Sequence, residues 1–309
     1  MIEQTSAARR LLLVHAHPDD ETLSNGVTMA KYVAEGAAVT LVTCTLGEEG
    51  EIVVDDLAHL SSDGEDVLGE HRLRELAEAM AALGVTDHVR LGGDHRFRDS
   101  GMSWAPDGTA TVADATRDDS FHAADLLVAA NELVRVIRDR RPQVLVTYDE
   151  FGGYGHPDHV QAHRVATYAT ALAAVPSHRP DLGPAWQVQR TLWTAMSRSQ
   201  VAEVSGLLAD KGLPEVLDGM PTEPDSPLFA GDEAIAVEVR APEYVGAKMA
   251  ALRAHRSQIR TDQGFMTLPE DIAGHFWARE HYRFAGGVPL PGEGWATDVF
   301  AGLDPDQQG

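Results

Sequence analysis

A single cysteine, Cys44, stands among 309 residues, which excludes an internal disulfide and a thiolate zinc cluster. Its setting, Val39-Thr40-Leu41-Val42-Thr43-Cys44, reads as a small apolar side chain on a buried strand. Long apolar runs are missing too: none approaches the roughly 18 residues that a membrane span needs. The opening segment ends in Arg9-Arg10 and leads into only a short apolar run, with no small-residue cleavage site. No secretory signal is therefore expected, and a reducing cytoplasm is the expected compartment. Positive charge is scarce: 25 Lys and Arg stand against 48 Asp and Glu, a formal net charge of −23. A surface of that sign repels phosphate, so nucleic acid and anionic membranes are not expected partners, whereas a neutral or cationic small molecule is. There is no solenoid-type repeat and no low-complexity tract, and the composition leaves the oligomeric state open.

What is present is an ordinary globular mixture, 43% hydrophobic and 24% charged, long enough to bury a core without staples. Leu11-Leu12-Leu13-Val14-His15 is a continuous apolar run, as in a strand covered on both faces. Residues 23–35 have helical spacing and stop at Gly36, and residues 37–44 form a second buried strand. Residues 65–83 carry an apolar stripe of Leu68, Leu73, Leu76, Met80 and Leu83 and stop at Gly84. A short strand at 89–91, a helix at 123–140 closed by Pro142, a strand at 144–148 and a helix at 160–174 follow. The alternation predicts right-handed βαβ crossovers and an α/β fold with a mainly parallel sheet flanked by helices. The Pro-, Gly- and Ser-rich stretch 176–184 reads as a boundary, giving a catalytic domain over 1–175 and a C-terminal part over 185–309. In the latter, 191–194 and 234–239 read as strands and 244–255 as a helix.

The chemistry is concentrated in His15-Ala16-His17-Pro18-Asp19-Asp20-Glu21 and Tyr154-Gly155-His156-Pro157-Asp158-His159. Each segment contains His-Pro-Asp, follows a buried strand and runs into a helix. Pro18 and Pro157 suit a first helical turn and stiffen the loops. Open α/β sheets bind ligands at the carboxyl ends of their strands, so these two loops can converge although far apart in sequence. Catalytic zinc takes three protein ligands and keeps one position open. His17 and Asp20, three apart at a helix start, can reach one point, and His159 supplies a third donor; the same set suits Fe²⁺ or Co²⁺. Asp19 is then free to act as the base that a hydrolase needs for its attacking water. A lone His-Pro-Asp could be only a helix cap; two copies at equivalent strand ends argue for a site, because so many polar groups there are costly otherwise. His15 reads equally as a support for the site or a satisfied core histidine. His163 reads as a surface or supporting group, and His71, His88 and His178 as solvated.

These residues resemble the PIG-L/LmbE family of zinc-dependent N-deacetylases, and the likeness covers nearly the whole chain. It runs through LLLVHAHPDDETLSNG (11–26), VTCTLGEEGE (42–51), RFRDSGM (96–102), VTYDEFGGYGHPDH (146–159) and the tail with Gly294-Trp295-Ala296-Thr297-Asp298. Within that family the chain looks most like the branch acting on N-acetylglucosaminyl-inositol in mycothiol biosynthesis. The resemblance implies a Rossmann-like fold with a smaller C-terminal part closing over the site. It implies one Zn²⁺ per subunit on His17, Asp20 and His159, and Asp19 as general base. It makes His156, held by Asp158, a positive group beside the tetrahedral oxyanion, with Tyr154 a mobile second donor. It places Arg72 and Asp99, and Glu51 beside them, on sugar and inositol hydroxyls. The implied reaction is hydrolysis of an acetamide to acetate and free amine on a small glycoside.

Two rivals remain at this point. A mycothiol S-conjugate amidase of the same family cleaves a different amide on the same scaffold, although Thr22-Leu23-Ser24-Asn25 and Thr45-Leu46-Gly47-Glu48-Glu49 look more like the deacetylase. A non-haem Fe(II) oxygenase also uses two His and one carboxylate, but usually as His-x-Asp on an all-β scaffold. A dinucleotide-binding oxidoreductase is weaker still, since His-Pro-Asp-Asp stands where its glycine-rich turn would be.

Overall fold

The computed structural model describes residues 9–105, 108–113, 117–217 and 228–303. Its centre is β1 (Arg10–His15), flanked by β2 (Ala38–Thr43) and, on the other side, β6 (Val144–Thr147), all parallel. The alternation of side chains along β1 feeds two cores at once. Leu11 and Leu13 pack with Met29 and Tyr32 of α1 (Asp20–Ala34) and Leu76 and Met80 of α2 (Leu68–Leu83). Leu12 and Val14 pack with Leu133 and Ile137 of α3 (Leu126–Arg140) and Val165 and Ala169 of α5 (Pro157–Ala173). The sheet order runs β3 (Asp87–Arg90), β2, β1, β6, β7 (Arg190–Ser197), β10 (Arg279–Gly287), β9 (Val237–Arg240), with β8 (Phe229–Ala230) beside β7. From β3 to β7 every pairing is parallel; β10 then runs antiparallel to both neighbours. The order reverses between β1 and β6, so the crevice at their carboxyl ends is the topological switch point of the sheet. A small hairpin, β4 (Met102–Trp104) with β5 (Ala110–Val112), stands beside the four-residue turn α4 (Gly152–Gly155).

The α/β class and the mainly parallel sheet follow the sequence pattern, with shifted boundaries. Helix α1 begins at Asp20 rather than at 23, because the His-Pro-Asp-Asp turn leads directly into it. Helix α2 begins at Leu68 rather than 65, since Asp66 has φ 54 and cannot lie in a helix. The strand expected at 234–239 is displaced to Val237–Arg240 by a 3₁₀ turn at Asp232–Ala234. Strand β10 has no apolar alternation to betray it, because the charged Glu280 is one of its buried residues. The stretch 176–184 is tied down: Leu182 joins the core beside Trp186 and Val188, and the buried Arg138 donates to the carbonyls of Val175, Arg179 and Gly183.

Helix α1 is not continuous. At Asn25 the backbone leaves the helical region (φ −141, ψ 16), so the helical bond from Val27 N–H to Leu23 C=O is replaced by side chains from the C-terminal half. Lys248 of α7 (Val245–Ala254) donates from Nζ to Leu23 O at 2.8 Å and to Glu280 Oε1 at 2.7 Å. Glu280 in turn accepts from Val27 N at 3.0 Å and Thr28 N at 2.8 Å. The lysine stem crosses the helix at Gly26, where a Cβ would come within 2.7 Å of Lys248 Cγ. Lys248 and Glu280 are both almost fully buried, and removing one partner of such a pair strands the other charge. Lys248→Met is therefore expected to cost about 3–5 kcal/mol in urea unfolding; a loss below about 1 kcal/mol would show that the helix break is stable without the pair.

Candidate metal centre and active site

Tyr148, just past β6, joins the two strand ends. Its hydroxyl accepts from Ala16 N at 2.9 Å and donates to Asp20 Oδ2 at 2.7 Å. Around that carboxylate three donor atoms converge. His17 Nδ1 to Asp20 Oδ2, His159 Nε2 to Asp20 Oδ2, and His159 Nε2 to His17 Nδ1 are each 3.3 Å. Zinc bonds of about 2.0–2.1 Å put tetrahedral donors about 3.3 Å apart, so an equilateral triangle of this size fits a divalent metal with one face left open.

Each donor is aimed by a second contact, as metal-binding side chains are. The far nitrogen of His17, Nε2, donates to Asp158 Oδ2 at 3.3 Å and faces Asp99 Oδ1 at 3.4 Å, which leaves Nδ1 as the nitrogen that faces the triangle. His159 donates from Nδ1 to Gly152 O at 3.1 Å, which leaves Nε2 free. Gly152 has φ +73 and lies so close that a Cβ would sit 2.8 Å from His159 Cβ. Burial alone would push His17 down, but the field of Asp99 and hydrogen bonds to Asp158, Asp20 and Asp99 raise it well above the usual histidine range. Burial works to raise Asp20 as well, and His159 and His17 overcome it, leaving this carboxylate ionised far into acid. Two other buried trios meet here: His17 with His156 and His159, and His17 with Asp99 and Asp158. Neither makes as good a ligand set, because His156 has its Nδ1 committed elsewhere and the two acids lie on the supporting edge of the His17 ring.

Asp19 stands next to the triangle without belonging to it. Its backbone has φ 113, and its carboxylate makes no cap bond to α1. Oδ2 accepts from Arg72 Nη2 at 3.2 Å. Burial lifts the Asp19 carboxyl to about 6, against the pull of Arg72 and with the help of the Asp20 charge. A base poised near neutrality is what proton abstraction from water requires.

Several expectations need correction. Arg72, expected on sugar and inositol hydroxyls, points inward instead. It is 2% exposed and donates to Gly47 O at 2.9 Å, to Pro18 O and to Asp19. Asp99 is likewise buried behind His17, accepting from Gly101 N at 2.9 Å and Glu49 N at 3.2 Å. The Asp158 carboxylate does not hold His156: it is shared between His17 and Ser100, whose N donates at 2.9 Å and whose Oγ also donates. It is the Asp158 backbone N–H that reaches His156, donating to Nδ1 at 3.1 Å as α5 begins. That bond makes Nε2 the protonated nitrogen of a neutral ring. Burial, with His17 and His159 adding to it, lowers His156 to about 2, so His156 is a neutral donor rather than a cation. His71 and His178 are partnered, with Glu75 at 3.1 Å and Asn131 at 2.7 Å.

Tyr154 sits over the site, its ring 5.1 Å from that of His159, 6.1 Å from His156 and stacked 6.0 Å from the exposed Trp104. Burial raises its hydroxyl above the ordinary range, so it stays a donor at neutral pH. Glu51 is exposed and lines a cleft of about 350 Å³ with Val53, Gln258 and Arg260. His15 lies in the core, bonded to Asn25 at 2.8 Å and lowered by burial to about 4. His163 turns to Tyr148 O at 3.1 Å, away from the triangle. Residues that the motifs did not single out also matter. Tyr148 holds Asp20 and Ser100 holds Asp158, and the fully buried Glu21 could have been noticed as an acid too many in the His-Pro-Asp-Asp-Glu run.

A histidine–carboxylate metal triangle with an unligated acid beside it, at the switch point of a parallel sheet, defines a metal-dependent hydrolase. The comparisons make this more particular. Residues 12–170 match the family model PIG-L, GlcNAc-PI de-N-acetylase, and the chain belongs to that family. A 1D-myo-inositol 2-acetamido-2-deoxy-alpha-D-glucopyranoside deacetylase of Kribbella flavida is 55% identical over 297 residues, 96% of this chain and 98% of the relative. Among solved structures, the N,N'-diacetylchitobiose deacetylase of Pyrococcus horikoshii superposes with a TM-score of 0.57 at 18% identity, covering 90% of this chain and 84% of that one. A 4-carboxy-2-hydroxymuconate hydratase of Pseudomonas putida matches equally well, TM-score 0.57 at 15% identity over 93% of this chain and 100% of that one. The fold therefore accommodates other chemistry, and the side chains it carries decide the reaction.

His17→Ala and His159→Ala are expected to lose bound metal, whereas Asp19→Asn should retain it at wild-type stoichiometry; metal analysis after exhaustive dialysis distinguishes them. Loss of metal from Asp19→Asn would make Asp19 a ligand. Because the raised His17 holds its proton and a metal must displace it, apparent affinity should fall steadily as pH falls; an affinity flat with pH in competitive titration would contradict the Nδ1 assignment.

Proposed function

We propose that this protein hydrolyses the acetamide of 1D-myo-inositol 2-acetamido-2-deoxy-α-D-glucopyranoside, releasing acetate and the free amine for mycothiol biosynthesis, with zinc as its metal and the cytoplasm as its compartment. The observation that carries the reading is Asp19, an acid poised near neutrality beside three mutually converging donors and bonded to none of them. The 55% identity to a deacetylase of that substrate, over almost the whole of both chains, supports the choice of glycoside. Zinc is favoured by the two-histidine, one-carboxylate donor set and the 3.3 Å spacing. When bound, such an ion supplies Lewis acidity toward the amide carbonyl and lowers the pKa of water.

The chain's own residues do the rest. Asp19, ionised and held by Arg72, takes the proton from the attacking water. The Nε2–H of neutral His156 and the hydroxyl of Tyr154 donate to the oxygen that becomes negative as the tetrahedral carbon forms. Each such donor is worth about 2.7–4 kcal/mol in comparable sites. Protonated Asp19 then returns the proton to the departing amine, since His156, lowered to about 2, has no spare proton to give. Arg72 and Asp99 act through Asp19 and His17 rather than on the sugar. Glu51, exposed in a cleft that it lines with Gln258 and Arg260 of the C-terminal part, is the side chain we assign to accept from a cyclitol or sugar hydroxyl.

The test is to incubate metal-loaded protein with the acetylated glucosaminyl-inositol and, separately, with a mycothiol S-conjugate, measuring released amine. The account expects the first to be the better substrate by at least roughly tenfold in kcat/KM, or about 1.4 kcal/mol; the reverse order would assign the amidase reaction. The acid limb of kcat/KM should fall near pH 6, because the Asp19 carboxyl is raised to about 6 and must be ionised to work. A limb near pH 4 would mean that burial does not act on the base. His156→Ala should lower kcat about 10²–10³-fold without moving that limb, whereas a displaced limb would show that His156 titrates in the working range.

A further inference from the structure

We infer that the buried Glu21–His255 pair is a positioning device for the general base, holding the backbone of Asp19 in the left-handed conformation that frees its carboxylate from helix capping. The inference rests on the assignment of Asp19 as the base.

An aspartate that immediately precedes a helix ordinarily turns its carboxylate onto the N–H groups of the first turn. Asp19 occupies that place at the start of α1 and does not do so. Its carbonyl oxygen accepts from Thr22 N at 3.0 Å and Leu23 N at 2.9 Å, while φ 113 and ψ −34 place the residue where side chains other than glycine are rare. A strained residue persists only if its surroundings over-determine it. Here the restraint comes from Glu21, whose Oε2 accepts from Asp19 N at 2.9 Å. Its other oxygen, Oε1, accepts from Thr22 Oγ1 at 2.6 Å and from His255 Nε2 at 3.1 Å.

Glu21 and His255 are both 0% exposed, so neither can touch substrate. His255 Nδ1 has no partner among the described residues, so the ring's polar anchor is the bond to Glu21. The histidine is fixed from outside the turn. It ends α7, and two residues on, Ser257 donates from N and Oγ to Glu75 of α2, each at 2.7 Å. The same α2 carries Arg72, which grips Pro18 O and the Asp19 carboxylate. The Asp19 turn is thus held at its N–H by Glu21 and at the preceding carbonyl by Arg72, both referred to one helix pair. A buried ion pair is poor evidence for stability, since an apolar pair of similar volume serves as well. What an apolar pair cannot supply is the acceptor for Asp19 N–H.

Glu21→Met removes that acceptor at similar volume. We expect kcat to fall by roughly tenfold to hundredfold, as misplacing a catalytic group does, with KM and bound metal unchanged. Glu21→Gln keeps an acceptor and should recover most of the rate. The decisive arm repeats Glu21→Met in the Asp19→Asn background, following the residual rate by amine release in long incubations. A residue that acts through the Asp19 carboxylate should alter that rate less than about twofold. An equal fold-loss in both backgrounds, an unchanged kcat, or loss of metal from Glu21→Met would each overturn the proposal. If Glu21→Met does not fold, His255→Leu takes its place in the same cycle with the same outcomes. Full activity in Asp19→Asn alone would refute the base assignment, separately from anything Glu21 does.

Discussion

The site depends on the two edges of the His17 ring being put to different uses. Nε2 is spent on Asp158 and Asp99, and Nδ1 is thereby presented to Asp20 and His159 at 3.3 Å. Three carboxylates around one buried imidazole would repel one another if the ring were not between them. The arrangement gathers negative charge around one buried ring, and it explains why Asp99 and Asp158 are buried where a sugar-binding acid would be exposed. Ser100 donates to Asp158 from both N and Oγ, and that acid faces His17 rather than His156. Burial, with His17 and His159 adding to it, leaves His156 neutral, with its Nε2–H available.

The second constraint is that α1, which bears the proposed ligand Asp20, is broken one turn later and repaired by the C-terminal half. Lys248 and Glu280 substitute for a missing helical hydrogen bond, and His255 reaches Glu21 in the first turn. Strands β7 and β10 extend the same sheet as β6. The ligand-bearing turn and the residues that hold it are therefore contributed by opposite ends of the chain.

Much of this was legible in the sequence, and for identifiable reasons. Continuous apolar runs at 11–15 and 144–148 marked central strands, and the two His-Pro-Asp motifs, each after such a strand, pointed to convergence at their carboxyl ends. Donors three apart at a helix start could meet, and the structure brings His17 and Asp20 together in that way. What stayed hidden was direction. Spacing cannot say that Arg72 points inward to Pro18 and Asp19, or that Asp158 turns to His17 and offers only its N–H to His156. The helix break at Asn25 was masked by an unbroken helical pattern, and β10 by the charge of Glu280, whose partner Lys248 lies on another element. Long-range charge pairs of that kind leave no local periodicity.

The most direct test of the account is a crystal structure of the zinc-loaded protein, refined without restraints on the metal bonds. The account predicts one ion bonded to His17 Nδ1, Asp20 Oδ2 and His159 Nε2 at about 2.0–2.2 Å, with Asp19 outside bonding distance and Asp158 still on His17 Nε2. An ion bonded to Asp19 or to His156, or one held on the Asp99–Asp158 edge of His17, would contradict it.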